Sequence, residues 1–256
     1  MKKILCLSLI ITNILLLTAC SSIPTPTEKY GKYSAEKIYQ IAQKNLRKEN
    51  DKEAAEALEA LDTLYPFNPN AQQAQLDIIY AYHETDDMPS SAAAAERYIR
   101  LYPRAHNVDY AYYMRGIANF NQDRGFFQRY FPVEEAVRDP GTMKQSYQDF
   151  LTLIRLFPDS KYAPDAKQHL IYLRNNFALK NLAIARFYYQ KQAYEAAINR
   201  ANEVLVKYAN TPSAKDALMI LYFSYQALGL TQSQAQVKEI FDLNFPGEIM
   251  KIKLEQ

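Results

Sequence analysis

The sequence predicts an all-α fold, a right-handed solenoid of five two-helix hairpins, and three observations carry that expectation. Only 6 of the 256 residues are glycine, valine is sparse, and Ala, Leu, Gln, Lys and Glu abound, a composition that favours helix over strand. Apolar residues recur at spacings of three and four, the signature of amphipathic helices. A short ending, a bulky residue followed by an aromatic one and usually by proline, recurs along the chain.

The N-terminus is of a different kind. Met1, Lys2 and Lys3 precede an almost unbroken apolar run from Ile4 to Leu17, a charged and then hydrophobic leader too short to span a bilayer comfortably. Leu17-Thr18-Ala19-Cys20 resembles a bacterial lipobox, so residues 1–19 are expected to be removed as a signal peptide and Cys20 to carry lipid at the new N-terminus. Ser21 and Ser22, with no Asp after the cysteine, imply sorting to the outer membrane. Residues 20–33, with two prolines and a glycine from Ser21 to Tyr33, read as a lipidated flexible tether.

The helical domain is expected over 34–245. Ser34 is an N-cap candidate, followed by Ile38, Ile41, Ala42 and Leu46; a second run, Ala54, Ala57, Leu58, Leu61 and Leu64, completes a hairpin. Its ending, Leu64-Tyr65-Pro66, returns as Leu101-Tyr102-Pro103, Leu156-Phe157-Pro158, Lys207-Tyr208-Ala209 and Asn244-Phe245-Pro246, at steps of 37, 55, 51 and 37 residues. Two of these steps lie near the period of tetratricopeptide (TPR) repeats, about 34 residues. Small residues stand where such repeats need them: Ala42 and Ala54 in the first, Gly116 in the third, Ala185 and Ala197 in the fourth. Each hairpin leaves an apolar face that only the next can cover.

The two long steps need extra structure. In the third hairpin an insertion between Asn121 and Asp139 carries Phe126, Phe127, Tyr130 and Phe131, rings that either pack back on the solenoid or face a partner. Asp139-Pro140 is expected to restart the helix, with Tyr147, Phe150, Leu151 and Ile154 on its inner face. From Pro164 to Gln190 no glycine or proline interrupts the apolar pattern, which predicts one helix of roughly 40 Å in the fourth repeat. Residues 246–256 are expected to be a tail.

Composition excludes several function classes. Without residues 1–19 the 30 basic residues become 28, against 28 acidic ones, so the basic excess that binding nucleic acid requires is absent. With Cys6 in the leader and Cys20 lipidated, no thiol remains for a disulfide, a metal site or nucleophilic catalysis. His83, His106 and His169 have no partner at ligand spacing, and no phosphate loop or nucleophile elbow occurs. No enzyme activity, metal or cofactor is expected beyond the lipid. The 21 tyrosines suit binding surfaces and helix packing alike, and Tyr110, Tyr113 and Arg115 on one helix make a candidate peptide surface.

Three segments together, Asp109–Gly116 (DYAYYMRG), Arg138-Asp139-Pro140, and SYQDFLTLIRLFPDSKYAPDA from Ser146, resemble the BamD (ComL) family, TPR lipoproteins of the outer-membrane β-barrel assembly machine. The resemblance covers essentially the mature chain. It implies a non-enzymatic scaffold on the periplasmic face of the outer membrane that docks on the POTRA domains of BamA, helps recruit other Bam lipoproteins and receives unfolded β-barrel substrates. In that family the last repeats face BamA and an arginine in the second helix of the fourth repeat matters; Asn199-Arg200 matches that position here. The rival expectation is a TPR lipoprotein that regulates periplasmic cell-wall enzymes.

Overall fold

In the computed structural model, residues 24–122 and 141–251 are described, and every regular element among them is an α-helix. The chain divides after Asp87 into two compact units, and the hairpins expected over 34–245 fall in both. The first contains α1 (Pro26–Tyr30), α2 (Ala35–Leu46), α3 (Asp51–Leu64) and α4 (Ala71–Glu84). The second contains α5 (Met88–Leu101), α6 (Val108–Asn121), α7 (Gly141–Leu156), α8 (Ala163–Gln190), α9 (Tyr194–Lys207), α10 (Ser213–Ala227) and α11 (Thr231–Asn244).

In the first unit, the Ser34 hydroxyl accepts the Lys37 N–H and starts α2. Ile38 and Ala42 from α2 then bury against α3, whose Ala54, Ala57, Leu58 and Leu61 form the apolar stripe. The segment read as the end of a flexible tether is structured. Thr25 and Glu28 form a capping box around Pro26, α1 packs on α3, and Tyr30 is only 5% exposed. Lys29 pairs with Glu56 at 2.6 Å. A proline at the first helical position, behind a Thr with a Glu three residues on, favours a helix start over a free linker.

In the second unit α8 runs unbroken for 28 residues, as its uninterrupted pattern predicts, and packs on α7, α9 and α10. Its N-terminal half joins a core with Phe120, Phe150 and Leu153. Its C-terminal half joins another with Val204, Leu221 and Phe241. The inner face of α7 differs from expectation: Leu153 is buried and Leu151 is exposed, because the helix presents Met143, Ser146, Asp149, Phe150 and Leu153 to its neighbours. The start expected at Asp139-Pro140 lies outside the described residues.

The recurrent endings have one geometry. At Tyr65, Tyr102, Phe157, Tyr208 and Phe245 the backbone N–H donates to the carbonyl four residues earlier at 2.8–2.9 Å, and the helix stops. Tyr65, Tyr208 and Phe245 have φ between −138° and −132° and ψ between 32° and 63°, outside the helical region that a following proline disfavours. Tyr208 adopts them before Ala209, so the missing proline leaves that exit unchanged. A second set of turns follows α2, α4, α8 and α10, where Glu49, Asp86, Gln192 and Gly229 have φ of 59°, 62°, 59° and 70°. Each is followed by an N–H that reaches five residues back, at 2.9–3.0 Å, the Schellman closure of a helix. Each of these left-handed residues lies 16 positions before an aromatic ending. Beyond Phe245 the expected tail is tied down at its start: Glu248 pairs with Lys215, whose ammonium lies 5.6 Å from the Phe245 ring centroid.

Candidate functional site

Helix α9 turns Ala197, Ile198, Ala201 and Val204 into the core and leaves Asn199 and Arg200 exposed. Leu205 is half-buried against the same core. The outer face is therefore polar, with one apolar residue, Val206, standing out at 81% exposure. Arg200 Nη1 lies 3.1 Å from Glu203 Oε2, and Lys207 Nζ lies 2.7 Å from Glu203 Oε1. The Lys207 bond, with Arg200 beside it, holds the Glu203 carboxyl below its ordinary range. Exposed pairs of this kind are weak and screened. Because Lys207 also satisfies Glu203, Arg200 can turn to an incoming carboxylate without stranding its present partner. Its planar fork matches a carboxylate bidentately.

The residues of the candidate peptide surface, Tyr110, Tyr113 and Arg115, are half-buried and make contacts between helices. Tyr113 stacks on Tyr162 with centroids 4.7 Å apart, and its hydroxyl donates to Asp165 at 2.8 Å. Burial, reinforced by the Asp165 bond, pushes the Tyr113 phenol up. Tyr110 lies 5.7 Å from the same Tyr162 ring, and Tyr112 lies 5.8 Å from Phe157. Arg115 donates from Nε at 2.9 Å and from a terminal nitrogen at 2.7 Å to one oxygen of Asp149. These side chains help seat α6 on α7 and α8: Tyr113 and Arg115 through polar tips that find partners on those helices, Tyr110 and Tyr112 through ring contacts.

Asp149 is the group that sequence reasoning missed. It is 1% exposed and also accepts from Asn119 at 2.7 Å and Gln145 at 3.1 Å. Burial raises its carboxyl while Arg115, Asn119 and Gln145 oppose the shift. Its only trace in the sequence is a carboxylate at core-facing spacing between Ser146 and Leu153. One turn away, a Cβ on Gly116 would stand 2.6 Å from Phe150 Cε1, and the Gly116 carbonyl accepts the Ser146 hydroxyl at 2.8 Å. Gly116 thus allows the close helix approach expected of it. Asp109 accepts from Ser160 at 2.6 Å. The segments Asp109–Gly116 and Ser146–Asp165 are accordingly two sides of one contact.

Cys20 and the rings of Phe126, Phe127, Tyr130 and Phe131 lie outside the described residues. Among the described residues no group of His, Cys, Asp and Glu could hold a metal ion, and no helix is long and apolar enough to cross a membrane.

Residues 32–240 match the YfiO family, described as outer membrane lipoprotein. The chain is 36% identical over 249 residues to outer membrane protein assembly factor BamD of Neisseria meningitidis serogroup A, covering 96% of this chain and 92% of that protein. Against the protein of the same name from Vibrio cholerae, identity is 38% over 229 residues, covering 90% and 94%. The Xylella fastidiosa protein of that name is 30% identical over 240 residues, covering 94% and 82%.

Proposed function

Because the chain belongs to the YfiO (BamD) family of outer membrane lipoproteins, we propose that it is an outer-membrane protein assembly factor, acting as a non-catalytic scaffold of the β-barrel assembly machine. The observation that carries this reading is similarity along nearly the full length of both chains. Cys20 is the lipidated residue and holds the protein to the periplasmic face of the outer membrane; several acyl chains suffice for that without a transmembrane helix. No cofactor is needed. The partners are the POTRA domains of BamA, other Bam lipoproteins and unfolded β-barrel substrates.

Docking on BamA is assigned to the flank of α9, with Arg200 as the charged anchor and Asn199 beside it. Support comes from their exposure and from the weak, exchangeable pair with Glu203. The insertion carrying Phe126 and Phe127 is a second candidate contact. Arg200→Glu should lower recovery of BamA in a pull-down, and a POTRA carboxylate changed to Lys should restore it. Wild-type recovery with Arg200→Glu would remove Arg200 from the interface. For the anchor, Cys20→Ser should abolish palmitate labelling and release the protein from membranes; persistent labelling would refute the assignment.

A further inference from the structure

Phe67 is 98% exposed at the tip of the α3–α4 loop, two residues beyond the aromatic ending at Tyr65. The same position after the other four endings holds Arg104, Asp159, Asn210 and Gly247, all exposed. Only the first repeat places a large ring there. It is accompanied by exposed Leu64, Pro66 and Pro69, and no charged residue occurs from Thr63 to Leu76 in a chain that is 23% charged. An isolated exposed apolar residue is unremarkable, but an uncharged loop around a protruding phenyl ring, approached by a single carboxylate where Asn70 donates to Glu36 at 3.3 Å, marks an interaction site.

The short stretch of chain between the expected anchor and this unit indicates the occupant. Helix α1 is fixed on α3 by buried Tyr30 and the Lys29–Glu56 pair. The Tyr65 hydroxyl donates to the Tyr33 carbonyl at 2.9 Å, tying the chain after α1 to the base of the loop that carries Phe67. Only five residue steps separate Cys20 from Thr25, which opens α1; whatever their conformation, they span at most about 18 Å. Lys32 is exposed on the same edge, its ammonium 5.3 Å from the Tyr33 ring centroid, suited to anionic headgroups. Against the one carboxylate at the tip, Glu36, three gather at the opposite ends of α2, α3 and α4: Glu49, Asp51 and Glu84, near enough that the two glutamates add to the burial that raises the Asp51 carboxyl. The 14 residues of α3 put them about 20 Å away, beyond the roughly 8 Å over which charge acts at physiological salt.

We infer that the α3–α4 loop tip, led by Phe67 with Lys32 beside it, seats in the headgroup region of the membrane to which Cys20 ties the chain. A phenyl ring buries at the boundary between headgroups and acyl chains, with basic residues at the polar level above it. The inference rests on the reading of Cys20 as the lipidated residue.

The chain has no tryptophan and 21 tyrosines, so Phe67→Trp introduces a single tryptophan that can be excited selectively at wavelengths where tyrosine does not absorb. The lipidated Phe67→Trp protein is reconstituted in vesicles of phosphatidylethanolamine and phosphatidylglycerol containing lipid brominated near the headgroup; Lys48→Trp, exposed at the opposite end of the first unit, is the control. The expected result is a blue shift and bromine quenching for Phe67→Trp and neither for Lys48→Trp. If Phe67→Trp is palmitate-labelled and vesicle-bound yet unshifted and unquenched, the membrane seat is overturned while the anchor stands, and Phe67 falls to a protein partner. Equal quenching of both variants also overturns it. Absence of palmitate label on the wild-type chain overturns both the anchor and the seat.

Discussion

Gly116 shows how one missing methyl group positions two helices. A Cβ there meets Phe150 at 2.6 Å, and Phe150 is fully buried, so Gly116→Ala must displace the ring or separate α6 from α7. We expect a loss of about 1–3 kcal/mol in denaturant unfolding, partly recovered by combining it with Phe150→Leu. Gln192 raises the opposite case, since a residue with a Cβ occupies φ of 59° where glycine is favoured. Gln192→Gly should therefore stabilise the second unit by roughly 0.5–1 kcal/mol, seen as a higher unfolding midpoint with unchanged slope. The two positions were not equally readable. Gly116 announces itself as the one glycine within a helical pattern, whereas of the four left-handed turns only Gly229 carries a residue that signals one. Glu49, Asp86 and Gln192 are recognisable only by their common distance from an aromatic ending.

At the level of elements, α6, α7 and α8 are held by a contact that is partly polar, and its buried ion pair is the sensitive point. Arg115→Met leaves the Asp149 carboxylate buried without its cation, which should cost about 3–5 kcal/mol at neutral pH. Arg115→Met with Asp149→Leu should recover most of that loss. The pH dependence follows from the raised Asp149 carboxyl. The folded protein holds this proton more tightly than the unfolded chain, so the contribution favours folding at low pH and is lost as pH rises through the raised value. Removing Arg115 raises the carboxyl further, so Arg115→Met should lose less stability at pH 5 than at pH 8, as chemical denaturation at the two pH values will measure. The long α8 could be read from the sequence because nothing in it breaks a helix. Asp149 could not, because a carboxylate in an apolar stripe reads as an interruption until the guanidinium and amides of other segments are placed around it. Helix α1 was legible in Thr25, Pro26 and Glu28, but two prolines and a glycine nearby favoured a linker.

For the whole molecule, neutrality of the chain from Cys20 onward leaves recognition to local features rather than to a uniform field. The exposed edge of α9 and the uncharged loop tip of the first unit are such features, and they offer different chemistry: a movable guanidinium on one and a phenyl ring on the other. Function was legible at this scale through combination. A lipobox-like stretch, a recurrent helix ending, an aromatic-rich stretch or a long helix can each occur singly in unrelated proteins; it was their combination that resembled one family, whose model matches residues 32–240. Individual partner contacts were less legible, because a helix face shows which residues are exposed without showing what meets them. The most direct measurement is therefore affinity purification of the palmitate-labelled protein from detergent-solubilised native outer membranes, followed by identification of what is retained. The account predicts BamA in the eluate from wild type and depletion of BamA with Arg200→Glu at unchanged protein yield. Retention of cell-wall synthases in the absence of BamA would contradict it.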